Sequence, residues 1–191
     1  MKTFQLCFLV AALTSPVFPL RAADTPDAKV IEFVRGQRAP SINVMDANGK
    51  TRHLTDVRFE KRVLLTFFPK CFTGTCATQL TSLRDSYAEL QKQDVEVWAI
   101  STDAAEGEKG QRAFARELKL PFPLLPDVER KISLAYGAAQ SKDQMAARMS
   151  VLISKRGTIE WVDKQIDPRT HGADVLARLK ADDEKMKVEA D

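Results

Sequence analysis

Side chains that hold metals or staple small folds are scarce in this chain. Its 191 residues include two histidines and three cysteines. That is too few for a disulfide-framed scaffold, and a chain that is 44% hydrophobic builds its own core without staples. His53 falls in an early loop and His171 at the start of the last expected helix, so both read as solvent-facing or capping residues and no metal site is expected. No apolar run reaches the roughly 20 residues that a membrane-spanning helix needs. There is no internal repeat, and the only biased tract is the charged C-terminal end. A basic stripe is also missing: Lys61-Arg62 and Lys155-Arg156 are isolated pairs in a loop and a turn, expected to be solvated, and Trp98 and Trp161 fall inside apolar strands. Nucleic acid is therefore not an expected partner.

What is present begins with a leader. Residues 1–23, MKTFQLCFLVAALTSPVFPLRAA, carry Lys2, an apolar run from Phe4 to Leu13, helix-breaking Pro16 and Pro19, and small residues at Ala22 and Ala23. This is the layout of a secretory signal peptide, with the mature start expected near Ala23 or Asp24 in a periplasmic or secreted protein and no membrane insertion after cleavage. Loss of Lys2 and Arg21 takes the formal charge from +3 to +1. Cys7 leaves with the leader, and only Cys71 and Cys76 remain.

The rest reads as one domain, 24–180, followed by a charged flexible tail at 181–191. Alternation around Ile42 and Val44, the DANGK turn and Thr51 to Leu54 predict an N-terminal hairpin. RVLLTFFP is a buried central strand stopped by Pro69. Leu80, Leu83, Tyr87 and Leu90 then recur at helical spacing, so a helix is expected to end near Lys92. VEVWAIS is a second strand. AEGEKGQRAFARELKL reads as a helix with an ordinary charged face, LPFPLLPD as a proline-punctuated extended piece, and Glu129 to Tyr136 as a short helix closed by Gly137. MSVLISKRGTIEWVD reads as strand, turn and strand, and HGADVLARLK as a final helix burying Ala173, Leu176 and Leu179. The order describes an α/β fold: a central mixed β-sheet flanked by helices, with an N-terminal β-hairpin extension.

The chemistry concentrates in FFPKCFTGTCATQL, residues 67–80. Pro69 ends a central strand, and ligand sites of open α/β sheets gather at such carboxyl ends. Thr73 and Thr75 both suit a helix N-cap. With Thr73 in that role, Cys76 is the third helical residue, where free backbone N–H groups and the helix dipole favour a thiolate. A free thiol has a pKa of about 8.5, so a cysteine meant to act as a nucleophile near neutrality needs such help.

Pro69, Thr73 and Cys76 together form PxxxTxxC, and FFPKCFTGTCATQLTSLRD resembles the peroxiredoxins (AhpC/TSA type), in particular the bacterioferritin-comigratory or Q-type branch, whose version reads close to YPKxxTPGCTxE. GQRAPSINVMDANGK resembles that family's opening GxxAPxFxLxDxxG, VWAISTD its second core strand, and LKLPFPLLPDVERKISLAYG its GLxFPLLSDxxxxVAxxYG segment. Arg148 in RMSVLISKRGTI resembles the arginine before its strand-turn-strand unit. Two departures stand out: Gly74-Thr75 replaces Pro-Gly before the reactive cysteine, and the branch's resolving cysteine, five residues after it, would fall on Thr81.

The resemblance implies a thioredoxin-like fold and a thiol-dependent peroxidase for hydrogen peroxide or organic hydroperoxides, with no cofactor and no metal. It gives Cys76 the nucleophile's role, Thr73 a hydroxyl hydrogen bond to sulfur or peroxide, Arg148 a fixed positive charge near both, and Pro69 the shaping of the pocket. The resulting sulfenic acid needs a second thiol. Cys71 can supply it if the loop rearranges; otherwise an external thiol or thioredoxin-like reductant does. A monomer and a homodimer are both compatible with the sequence. Other redox and metal roles fit less well: C-x4-C is neither the CxxC of thioredoxin-like reductases nor the CxxxC-plus-histidine set of a copper-binding protein of this fold.

Overall fold

The computed structural model describes residues 32–188. The expected leader with Cys7, its cleavage site and residues 189–191 of the tail lie outside the described residues. Strands β1 (Asn43–Met45) and β2 (Thr51–His53) pair antiparallel as a separate two-stranded sheet. Their reversal is held by Asp46, whose Oδ1 accepts the N–H groups of Asn48 and Lys50, and by Gly49 at φ 87°.

The main sheet has five strands: β3 (Arg62–Phe67), β4 (Val95–Ser101), β5 (Leu124–Pro126), β6 (Met149–Ile153) and β7 (Ile159–Asp163), in the order β5-β4-β3-β6-β7. β3 pairs parallel with β4 and antiparallel with β6; β4 and β5 are parallel, β6 and β7 antiparallel. Continuous burial of the central strand follows from its position. Leu64 faces one apolar cluster with Leu80, Leu83, Phe114, Val175 and Leu179, while Val63, Leu65 and Phe67 face another with Trp98, Ile132, Tyr136 and Ile42. Helices α1 (Gly74–Lys92), α2 (Gln111–Glu117) and α4 (His171–Val188) contribute to the first cluster, and α3 (Lys131–Ala135) with the N-terminal segment to the second. This is the mixed, helix-flanked, thioredoxin-like sheet that the sequence led us to expect. Truncating a fully buried leucine such as Leu83 to alanine costs about 2–5 kcal/mol in such a core.

Helix α4 lies directly on α1. A Cβ at Gly172 would come within 2.3 Å of the Ser82 carbonyl oxygen, and the Gly172 N–H donates to Ser82 Oγ at 3.0 Å, so glycine is what allows the approach. The buried face of α4 is His171, Val175 and Leu179, every fourth residue; Ala173, expected inside, is exposed because it lies a half-turn away. The helix also continues past Lys180, where a tail was expected to begin, to Val188, and Asp183 pairs with Arg62 at 3.0 Å.

Three other elements differ from expectation. Leu124–Pro126 is a parallel edge strand rather than only an extended piece, since Pro126 at its end has no N–H that needs an acceptor. Helix α2 begins at Gln111, because Gly107 takes φ 99° and a Cβ at Gly110 would meet the Glu106 carbonyl oxygen at 2.3 Å, so residues before it form tight turns. Lys61 and Arg62 are partly buried ion-pair residues, with Glu96 and Asp183, instead of a solvated loop pair. The two tryptophans are core residues, and the Arg178 guanidinium lies 4.4 Å from the centre of the Trp161 ring.

Candidate active site

Strand β3 hands the chain to Pro69, which is half-buried, and five residues later the chain is helical. Thr73 is the N-cap of α1 with extended φ, ψ of −105° and 139°. Its carbonyl accepts the Ala77 N–H at 2.9 Å, but its hydroxyl donates to the Lys70 carbonyl at 3.0 Å and caps no helical N–H. The Thr73 hydrogen is thus committed within the loop and makes no bond to the Cys76 sulfur, which corrects one half of the expected role; the oxygen keeps its lone pairs. Thr73, Gly74 and Thr75 are exposed.

Cys76 is the third residue of α1 and its side chain is buried, 2% exposed. Arg148, just before β6, reaches it from across the sheet, with Nη2 at 3.6 Å from Sγ. The guanidinium therefore sits beside a sulfur in the first turn of a helix, so a fixed cation and the helix N-terminus both face the place where charge moves during a nucleophilic attack. Arginine keeps its proton and so supplies charge without acting as an acid.

Gln79, one turn along α1 from Cys76, is fully buried and holds the other side of the arginine: Arg148 Nη1 donates to Gln79 Oε1. Its Nε2 donates to Thr66 Oγ1 at 2.9 Å and to the Phe67 carbonyl at 3.4 Å. A carbonyl can only accept, so the amide nitrogen must face β3 and the amide oxygen must face Arg148. The polar chain continues inward. Ser150 Oγ donates to Thr66 Oγ1 at 3.1 Å and lies 3.0 Å from His171 Nε2. With the serine hydrogen turned to Thr66, the ring donates from Nε2. Burial pushes the His171 pKa down to about 4, so the ring is neutral near pH 7. His171 is only 1% exposed, a correction to the solvent-facing role expected of it.

Cys71 has different surroundings. It too is buried and unbridged, with its Sγ 4.0 Å from Ser101 Oγ and its N–H donating to Asp103 Oδ2 at 2.7 Å. Burial pushes its thiol well above the usual thiol range, and the Asp103 carboxylate acts in the same direction.

The fold thus brings Pro69, Thr73, Cys76 and Arg148 to one end of the central strands and turns Cys71 toward the end of β4. The sequence reading missed Gln79, Thr66, Ser150, Ser101 and Asp103. Only Gln79 carried a signal: it shares the face of Cys76 three residues on, at the place of the glutamate in YPKxxTPGCTxE. Among the described residues, no group of three His, Cys, Asp or Glu side chains could hold a metal ion, and no helix is long and apolar enough to cross a membrane.

Comparison with known proteins agrees on one relationship. The model of the AhpC/TSA family matches residues 35–162. The chain is 36% identical over 151 residues to peroxiredoxin Bcp of Escherichia coli (strain K12), covering 76% of this chain and 94% of that protein. It is 33% identical over 184 residues to the chloroplastic peroxiredoxin Q of Arabidopsis thaliana, covering 94% and 83%. Among solved structures, a cysteine-to-serine mutant of Xylella fastidiosa PrxQ superposes with a TM-score of 0.71 at 20% identity, over 79% of this chain and 98% of the other.

Proposed function

Since the chain belongs to the AhpC/TSA family and is a thiol-dependent peroxidase related to the Q/Bcp peroxiredoxins, we propose that Cys76 is its peroxidatic residue and that Arg148, Thr73 and Pro69 complete the site. The observation that carries this assignment is the Arg148 guanidinium at 3.6 Å from a sulfur in the first turn of a 19-residue helix.

In the proposed reaction the Cys76 thiolate attacks one peroxide oxygen as the O–O bond breaks. An S–O bond forms, sulfur is oxidised to the sulfenic acid, and the other oxygen leaves as hydroxide or alkoxide and takes up a proton. Negative charge moves from sulfur toward the leaving oxygen, and a cation fixed beside the sulfur meets it along that path. The Thr73 oxygen, its own hydrogen held by Lys70, is available to accept the peroxide O–H and so orient the molecule. Pro69, half-buried next to the loop, limits water access.

The sulfenic acid is resolved by Cys71, the one other cysteine retained after leader removal, in a compartment where disulfides persist. An external thiol then reduces the disulfide. Replacing Cys76 with serine tests the assignment: peroxide consumption should vanish, whereas turnover retained within tenfold would reassign the nucleophile.

We also propose export of the protein to the periplasm or beyond. The support is Lys2, the apolar run from Phe4 to Leu13 and the small residues Ala22 and Ala23. N-terminal sequencing of the native protein should begin near Ala23 or Asp24, and recovery of Met1 to Arg21 would refute export.

A further inference from the structure

The loop between Pro69 and Cys76 is held shut by contacts that peroxide reduction itself does not need. The Cys71 N–H donates to Asp103 Oδ2 at 2.7 Å, and the same oxygen accepts the Ser101 hydroxyl at 2.9 Å. Asp103 is itself anchored, because the fully buried Gln111 Nε2 lies within hydrogen-bonding distance of Ser101 Oγ, 2.9 Å, and of the carbonyl oxygens of Ser101, Asp103 and Leu125, 3.2, 3.3 and 3.2 Å, which share its two hydrogens. The residue after Cys71 is Phe72, at φ 56°, a left-handed conformation that a phenylalanine holds only when its surroundings impose it. Its ring packs against Phe114, whose ring centre lies 4.9 Å away.

We infer that Asp103 is a latch on the resolving step: its bond to the Cys71 N–H keeps that thiol turned toward Ser101, and release of this bond sets the rate at which Cys71 reaches oxidised Cys76. This inference rests on the reading of Cys71 as the resolving thiol. After release, the Cys71 sulfur gives up its proton and attacks the Cys76 sulfenic sulfur. An S–S bond forms, the S–O bond breaks, and the hydroxyl leaves as water with the proton that Cys71 lost. No further oxidant is consumed. The charge of Asp103 works with its hydrogen bond, since a carboxylate beside a buried thiol opposes the thiolate that attack requires. Cys76 acts on Cys71 in the same sense, and the Ser101 hydroxyl opposes it. The latched state thus spares Cys71 from direct oxidation while Cys76 reacts.

The test compares the full mature chain with Asp103→Asn, which keeps a neutral acceptor for the Cys71 N–H but removes the charge, and with Phe72→Ala, which loosens the same loop by removing its packing on Phe114. After one equivalent of hydrogen peroxide, samples are quenched in time and weighed intact. Both variants should convert the one-oxygen adduct into the disulfide roughly 10-fold faster than wild type, Asp103→Asn because the charge-assisted hydrogen bond becomes a weaker neutral one and Phe72→Ala because the loop loses its packing, with disappearance of the Cys76 thiol unchanged within twofold. A second readout uses iodoacetamide on Cys71 in a Cys76→Ser background, where Asp103→Asn should lower the pH midpoint of alkylation by about one unit or more. Disulfide formation within twofold of wild type in both variants overturns the latch while leaving Cys71 as resolver, and so does faster alkylation without a faster disulfide. No disulfide in wild type overturns the resolver reading and the latch together.

Discussion

Arg148 lies within hydrogen-bonding distance of Cys76, Nη2 to Sγ 3.6 Å, although 72 positions separate them in the chain. The contact exists because β6 runs antiparallel beside β3, with Phe67 opposite Met149, so the residue before β6 arrives where β3 ends and α1 begins. Replacing Arg148 with methionine keeps much of the side chain's bulk and removes the charge. Oxidation of Cys76 by peroxide should slow by roughly 10- to 1000-fold, with the fold retained, as expected when a group that stabilises a developing anion is lost. Stopped-flow kinetics within twofold of wild type would separate Arg148 from the chemistry.

Gln79 should behave as the support of that arginine. In Gln79→Met the Thr66 hydroxyl keeps Ser150 as a partner, but the Phe67 carbonyl loses a donor and Arg148 loses its second anchor. Stability should fall by about 1–3 kcal/mol, the cost of polar groups left unsatisfied in a core. Cys76 oxidation should slow as well, by less than in Arg148→Met. Denaturant unfolding and peroxide kinetics on the same preparation check both parts.

His171 gives the protein a specific pH dependence. Its folded pKa, about 4, lies below the ordinary 6.5 because burial disfavours the charged ring. Between those values the unfolded chain binds the extra proton and the folded one does not, so this residue's contribution is intact above pH 6.5 and is lost as pH falls toward 4. The loss should reach roughly 3 kcal/mol. Urea unfolding at pH 7 and pH 4.5 should show a smaller difference for His171→Gln than for wild type, and equal differences would mean that the ring is not kept neutral by the fold.

Gly172→Ala should weaken the docking of α4 on α1. Its methyl group would meet the Ser82 carbonyl oxygen at 2.3 Å and Ser86 Oγ at 2.5 Å, so the helices must separate or tilt. The expected cost is about 1–3 kcal/mol, read as a lower denaturation midpoint. An unchanged midpoint would show that the interface absorbs a methyl group there.

Why some of this was legible in the sequence, and some not, follows from the range of the interactions. Local patterns announced β3, α1 and the placement of Cys76 in its first turn, because Pro69, the caps at Thr73 and the leucine spacing act within a few residues. Arg148 entered through a resemblance, since no local pattern links it to a cysteine 72 residues away. Asp103 and Ser101 escaped notice because what they hold is a backbone N–H, which is the same at every non-proline residue. His171 was misread because one buried histidine has no sequence pattern distinct from an exposed one; its burial depends on Gly172 letting α4 approach α1. The edge strand β5 was hidden by prolines on both sides of a very short pairing segment.

The most direct test of the central claim, that Cys76 reduces peroxide with Arg148 beside it and Cys71 as the second thiol, is intact-protein mass spectrometry after one equivalent of peroxide in the absence of added thiol. Wild type should pass through a one-oxygen adduct on Cys76 to a product lighter by two hydrogens, the Cys71–Cys76 disulfide, whereas Cys71→Ser should stop at the adduct and Cys76→Ser should remain unmodified. Oxygen uptake by the Cys76→Ser variant at the wild-type rate, or an adduct mapped to any residue other than Cys76, would contradict the account.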